Sequence, residues 1–204
     1  MSMNKVIHGA VRRDLERFVA ALRSFPDGDR ERAEGLGRAW DNLDAELTRH
    51  HQGEHEIAWP HLERAGVSRT VLDQMDGEHQ VMVDALVQVR AAMAALRGEP
   101  TAARAQEALT AMAALRTATL SHLEHEEAEL EPFYLTNKDH PEIRAMNRAF
   151  SRQSPAVAGR FFAWVSDGIS PEARESVEVP GPVLAVLSGL FGRGYRKDVA
   201  PVWQ

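Results

Sequence analysis

Apolar spacing restricts this chain more than any other feature. Through four long segments apolar residues recur at alternating steps of three and four, the period of a helix with one buried face. In the first segment, about residues 4–25, the inward steps are His8, Val11, Leu15, Phe18, Leu22 and Phe25, and Pro26 and Gly28 break it. The second runs from about residue 29 to 65, with Leu36, Trp40 or Leu43, Leu47, His50, Glu54, Ile57 and His61 inward. Pro60 predicts a kink in its final turn, and Gly66 closes it. Ser68 is the predicted N-cap of the third, whose seam is Leu72, Met75, His79, Met82, Leu86, Val89, Met93 and Leu96. Gly98–Glu99–Pro100 ends that helix. The fourth runs to about residue 134, with Leu109, Met112, Leu115, Thr119, His122, Glu126, Leu130 and Phe133 inward and Pro132 in its last turn. Helices of about 20 to 35 residues joined by short breaks predict an all-α, up-down-up-down four-helix bundle over residues 1–135.

Beyond Thr136 the texture changes. Asp139 is a predicted cap, with Pro141 in the first turn of a short helix carrying Ile143, Met146 and Phe150. Pro155–Val165 predicts another, holding Phe161, Phe162 and Trp164, and Pro180–Gly181–Pro182 precedes a small apolar helix over 183–191. The tail from Gly192 reads as irregular. Residues 136–204 are therefore expected to form a helical extension that packs on the bundle or builds a homodimer interface. The chain has no cysteine, which excludes disulfides, thiolate metal sites and thiol nucleophiles. With 24 Lys plus Arg against 30 Asp plus Glu, a net charge of -6 speaks against a nucleic-acid partner. No apolar run is long enough to span a bilayer, so no membrane partner is expected. The amino-terminal residues lack the apolar core of a secretory signal, and a cytoplasmic location is expected.

The informative residues are the polar ones on the apolar seams. His8, His50, Glu54, His79, His122 and Glu126 all occupy core-facing steps, where imidazoles and carboxylates are excluded unless paired or metal-bound. Their heights agree. Glu54 lies 12 residues before Gly66 and His79 lies 13 after it, nearly level at about 1.5 Å per residue. Counted from Gly98, His79 and His122 differ by roughly 7 Å. His50-x-x-x-Glu54 and His122-x-x-x-Glu126 each put an imidazole and a carboxylate on one face, a turn apart. Such a sulfur-free set suits Fe, Mn or Zn, and a carboxylate from each of two helices can bridge two ions with imidazoles at terminal positions. The pattern lacks the Glu-x-x-His pairs of ferritin-like sites. His51, His55, His61, His125 and His140 read as surface, helix-end or supporting groups, although His51/His55 and His125/Glu129 repeat the spacing one residue on. Glu124, Glu127, Glu129 and Glu131 read as a solvated face.

Taken as an ordered set, His8, His50-x-x-x-Glu54, His79 and His122-x-x-x-Glu126 resemble the hemerythrin, or HHE cation-binding, domain. The surrounding HHQGEHEIAWPHL, GEHQVMV and HLEHEEAELEPF resemble it too, over about residues 1–135. The resemblance implies a carboxylate-bridged, oxo- or hydroxo-bridged pair of Fe ions in a four-helix bundle. His8 and His50 would hold one iron, His79 and His122 the other, and Glu54 and Glu126 would bridge them. Oxygen-binding members carry a further His one turn after the third-helix ligand, and Val83 stands there in this chain. Simple reversible oxygen carriage is thereby disfavoured. Two classes of function follow: a redox protein that binds or consumes O2, peroxide or nitric oxide, and an iron- or oxygen-sensing module whose carboxy-terminal segment carries the response. Iron holding is a third. No dedicated acid–base residue is apparent, and Tyr134 at a helix end is a weak donor candidate.

Overall fold

The computed structural model describes residues 1–177 and 181–204, and among these it contains helices and turns but no strand. Helix α1 (Met3–Arg23) leads to α2 (Arg30–Gly53), which continues through a π-turn, Glu54–Ala58, into α3 (Trp59–Arg64). Helices α4 (Arg69–Gly98) and α5 (Ala102–Thr136) complete a helical bundle in which α5 lies between α1 and α4, and α2 packs against α4 and α1. Side chains of Ser2, Asp29 and Thr101 accept from the backbone N–H of Lys5, Arg32 and Arg104, satisfying donors that a helix start leaves free. Ser68 occupies the expected N-cap of α4, but its hydroxyl makes no capping bond. Gly66 turns the chain from α3 into α4 at φ +107°, a conformation that only glycine adopts without strain. At the other end, the Gly28 N–H donates to the Pro100 carbonyl (2.8 Å) and the Ala102 N–H to Asp27 (2.7 Å). These bonds tie the α1–α2 turn to the α4–α5 turn.

The periodic seams are the core. Every predicted inward residue of α4 is buried, as are the six of the first segment, of which Phe25 lies just beyond the end of α1. In α5, Leu109 and Phe133 are only half-buried, and Ala105, Ala108 and Leu123 are buried instead. The larger departure is in α2. The Trp59 N–H bonds the carbonyl of Glu54, five residues back, so one extra residue is accommodated in the turn just before Pro60. The helix is re-phased by that residue: Ala58, Trp59 and Leu62 are buried, whereas the expected Ile57 and His61 are half-buried. The disturbance expected at Pro60 takes this form.

Helix α6 (Pro141–Phe150) is capped by the His140 ring, which accepts from the Glu142 N–H, and not by the expected Asp139, which pairs with Arg144. Its Ile143 and Met146 join Trp59, Leu62, Leu72, Met75 and Leu130 in a small second core at one end of the bundle. The remaining elements are α7 (Pro155–Val165), α8 (Pro171–Glu175), α9 (Gly181–Val186) with a π-turn over Leu187–Phe191, α10 (Arg193–Asp198) and a 3-10 turn, Ala200–Trp203. The apolar helix expected over 183–191 thus begins at Gly181, while Pro180 lies outside the described residues. The tail expected to be irregular is helical, because its apolar residues have a partner. Tyr195, Val199 and Val202 are buried, and the Trp203 ring meets Phe18 edge-on at 5.0 Å.

These elements cover the outer faces of α1 and α2. Trp164 is buried and donates its indole N–H to Asp14 at 2.7 Å, while Arg13 (2.8 Å) and Arg17 (3.3 Å) donate to the same carboxylate. Arg17 and the Tyr195 hydroxyl meet on Asp167 at 2.7 and 2.9 Å, and Arg160 reaches Asn42 at 3.0 Å. Helices α1 and α2 therefore have two buried faces, which is why Asp14, Asn42 and Glu46 are buried off the apolar seam. Among the described residues, no helix is long and apolar enough to cross a membrane.

Candidate metal centre

The polar seam residues converge in the bundle interior. His8 Nε2 lies 3.1 Å from Glu126 Oε2, His50 Nε2 3.2 Å from Glu54 Oε1, and His79 Nε2 3.3 Å from Glu54 Oε2. His79 Nε2 and His122 Nε2 are 3.0 Å apart, and His122 Nε2 is 3.8 Å from Glu126 Oε2. The offset of height expected between His79 and His122 vanishes once the helix ends are known. His79 is 19 residues from the end of α4 at Gly98, and His122 is 20 from the start of α5 at Ala102. The three residues between lie across the turn and add no height.

His51 was expected outside the cluster, and the structure places it inside. It is 7% exposed, and its ring stacks on His79 with centroids 4.2 Å apart. Two groups of atoms that could hold a metal ion result. His8, His50, Glu54 and Glu126 bring their ligand atoms within 4.8 Å of one another, as do His51, Glu54, His79 and His122. Glu54 belongs to both. His55, one turn on from His51, points outward to Asp76 at 3.0 Å. Val83 is 39% exposed, and the buried residue about one turn after His79 is Met82. His51 brings the imidazoles of the centre to five.

Most of these atoms face one another without hydrogen bonding. His8 Nε2, His50 Nε2, His51 Nε2, both oxygens of Glu54 and Glu126 Oε2 are buried and have no hydrogen-bond partner in the chain. Orphaned buried polar atoms are costly, on the order of 1–3 kcal/mol each, and their clustering marks a place built for a charged occupant. The protonation preferences tell the same story. Burial pushes the Glu54 carboxyl well above its usual range, and the nearby Glu126 charge adds to the effect. Burial also works to raise Glu126, but the His8 ring 3.1 Å away and the nearby His50 and His122 hold it at about 2. Burial and neighbouring imidazoles lower His50 to about 3 and His79 to about 4, and carry His51 lower still. For His8, burial opposes protonation, but Glu126 and Glu127 outweigh it and the pKa rises. Two carboxylates cannot both stay ionised here without a cation, whereas neutral imidazoles and ionised carboxylates are what a bound metal requires.

A ring of polar residues backs the imidazoles. Glu127 accepts from His8 Nδ1 at 3.0 Å and from Arg12 at 2.5 Å, with Lys5 at 3.5 Å, and these partners hold its carboxyl at about 2 against burial. It is not part of a solvated face. Glu78 accepts from His122 Nδ1 at 2.9 Å and from His125 Nδ1 at 2.7 Å. Asp76 lies 3.8 Å from His79 Nδ1 and accepts from the Trp59 indole at 2.8 Å. Asn4 donates to Glu126 Oε1 at 2.8 Å, which leaves Glu126 one oxygen for the interior where Glu54 has two. Sequence reasoning missed these supports. Asn4 precedes His8 by four residues and Asp76 precedes His79 by three, so a same-face signal existed for both. Glu78 acts on the neighbouring helix, which its own helical period does not report.

A bundle whose interior is lined by imidazoles and carboxylates from α1, α2, α4 and α5 defines a cation-binding helical protein. The family model described as the hemerythrin HHE cation binding domain matches residues 5–156, from α1 through α6 into α7, and the chain belongs to that family. It is a metal-binding domain of a family that binds cations, usually iron. Neither the search of curated proteins nor that of solved structures returned a match.

Proposed function

We propose that the chain is a non-haem di-iron protein that binds or reacts with O2, peroxide or nitric oxide. The observation that carries this reading is the set of buried nitrogen and oxygen atoms, facing one another without hydrogen-bond partners, on His8, His50, His51, Glu54 and Glu126. His8, His50 and Glu126 would hold one ion, His51, His79 and His122 the other, and Glu54 would serve both. This proposal keeps the six expected ligands but gives Glu126 to one ion instead of the bridge expected of it, and adds His51 in place of an imidazole at position 83. Bound iron supplies an exchangeable position for a small ligand together with the electrons to reduce it. The protein's part is to orient the imidazoles with Nε2 inward, through Glu127 on His8 and Glu78 on His122. Buried neighbours along the same seams, Leu47, Met75, Met82, Leu123 and Leu130, limit water at the centre.

Metal analysis of anaerobically purified protein, with absorption spectra before and after exposure to air, tests the reading. Two irons per chain and oxo-to-iron charge-transfer bands that develop in air are expected. Zinc in their place, or no metal after iron reconstitution, would overturn it. Peroxide or nitric oxide titration of the reduced protein then separates turnover from sensing, which would give metal-dependent ordering without product.

A further inference from the structure

The two groups of ligands differ in what stands behind them. On the His8 side, the backing carboxylate Glu127 already faces two permanent cations, Arg12 at 2.5 Å and Lys5 at 3.5 Å. Its charge is largely neutralised before any metal arrives. On the His122 side, Glu78 pairs only with His122 and His125, and among the described residues no Lys or Arg lies within ion-pair distance of it. Asp76 adds a second carboxylate on the same side, 3.8 Å from His79 Nδ1, facing the Trp59 indole and His55. The imidazoles contributed by α2, His50 and His51, have no carboxylate hydrogen-bonded to Nδ1 among the described residues.

We propose that Glu78 is a positioning residue that makes the His51–Glu54–His79–His122 group the tighter metal position. It fixes the His122 ring with Nε2 inward and delivers an unneutralised negative charge through it. The reasoning rests on the di-metal reading above. A carboxylate on the far nitrogen of a ligating imidazole fixes its tautomer, orients the ring and makes it a better donor. That benefit scales with the charge the carboxylate still carries, so the support from Glu127 is weaker in kind. Glu78 is 36% exposed along its side chain, so replacing its charge does not open the core. His125 holds the other oxygen of Glu78, is itself 35% exposed, and touches no inward atom of the centre. It anchors the carboxylate without taking part in binding.

Anaerobic loading with Co2+, a probe with visible bands, followed by removal with a chelator, tests this. The wild type is expected to take up two ions and release them in a fast and a slow phase. Glu78→Gln keeps the side-chain shape and removes the charge. It should speed the slow phase by about 10- to 100-fold and shift its visible bands, leaving the fast phase as it was. Glu127→Gln should alter only the fast phase, and by less; Glu78→Asp should restore part of the slow phase. A circular-dichroism melt of each metal-free variant that matches the wild type separates positioning from folding. If Glu78→Gln leaves the slow phase and its bands unchanged, or speeds both phases equally, the proposal is wrong while the di-metal reading stands. A wild type that takes up no Co2+ would overturn the di-metal reading and this proposal with it.

Discussion

Glu54→Ala is expected to strip the protein of nearly all its metal, whereas Glu126→Ala and His51→Ala should each leave about one ion per chain. The difference comes from the geometry of the two carboxylates. Glu54 turns both oxygens into the interior with no hydrogen-bond partner and belongs to both ligand groups. Glu126 gives one oxygen to Asn4 and belongs to the His8 group alone. His51 belongs only to the other group. Thermal melts provide a second readout with the opposite sign. A buried carboxylate without a partner destabilises the metal-free bundle, so metal-free Glu54→Ala should melt no lower than the metal-free wild type. Added metal raises the wild-type melting temperature by mass action, and that rise should disappear in the variant. Full metal content in purified Glu54→Ala would sink the assignment, and equal losses in all three variants would contradict the division into two groups.

The parts of this centre that were legible in the sequence are those that a helical period controls. His8, His50, Glu54, His79, His122 and Glu126 occupy seam positions, and one helical rise per residue fixes their heights. His51 was also within reach. Leu43, Leu47 and His51 are successive steps of four, so the stripe runs through His51 as well as through His50, and both rings are inward because α2 presents a broad buried arc. The π-turn was not legible. It depends on Trp59 finding the Glu54 carbonyl, and its only trace in the sequence is Pro60, which spoils the regular ladder locally. That single inserted residue moved the buried positions from Ile57 and His61 to Ala58 and Leu62. Glu78 was hidden for a different reason, since its partners lie on α5 and pairing between helices carries no periodic signature. The same holds for Asp14, a charged residue one step off the seam, which makes sense only when the indole of Trp164, 150 residues away, is known to cover it.

Trp164→Ala should be among the most destabilising changes outside the metal centre, at about 3–5 kcal/mol. The side chain is 1% exposed, belongs to the main hydrophobic core, and joins α7 to α1 by both packing and the indole bond to Asp14. Truncation would leave a cavity the size of an indole beneath α7. It would also take the donor from Asp14 Oδ2, because Arg13 and Arg17 both bond Oδ1, so the loss combines packing with an unpaired buried acceptor. Trp164→Phe weighs the two contributions: it keeps a buried ring but loses the donor and part of the indole volume, at a cost of about 1–2 kcal/mol. At about 2–4 °C per kcal/mol for a chain of this size, the Ala variant should melt on the order of 10 °C below the wild type, and Phe only a few degrees below. Because Trp164 touches none of the metal-binding groups, the native fraction of either variant should still load two ions. A Trp164→Ala protein that melts with the wild type would mean that α7 does not hold to the bundle, and the burial of Asp14 would lose its explanation. A variant that loses stability and metal together while still folded would instead reveal that the covering helices reach the centre through α1, which carries both Asp14 and His8.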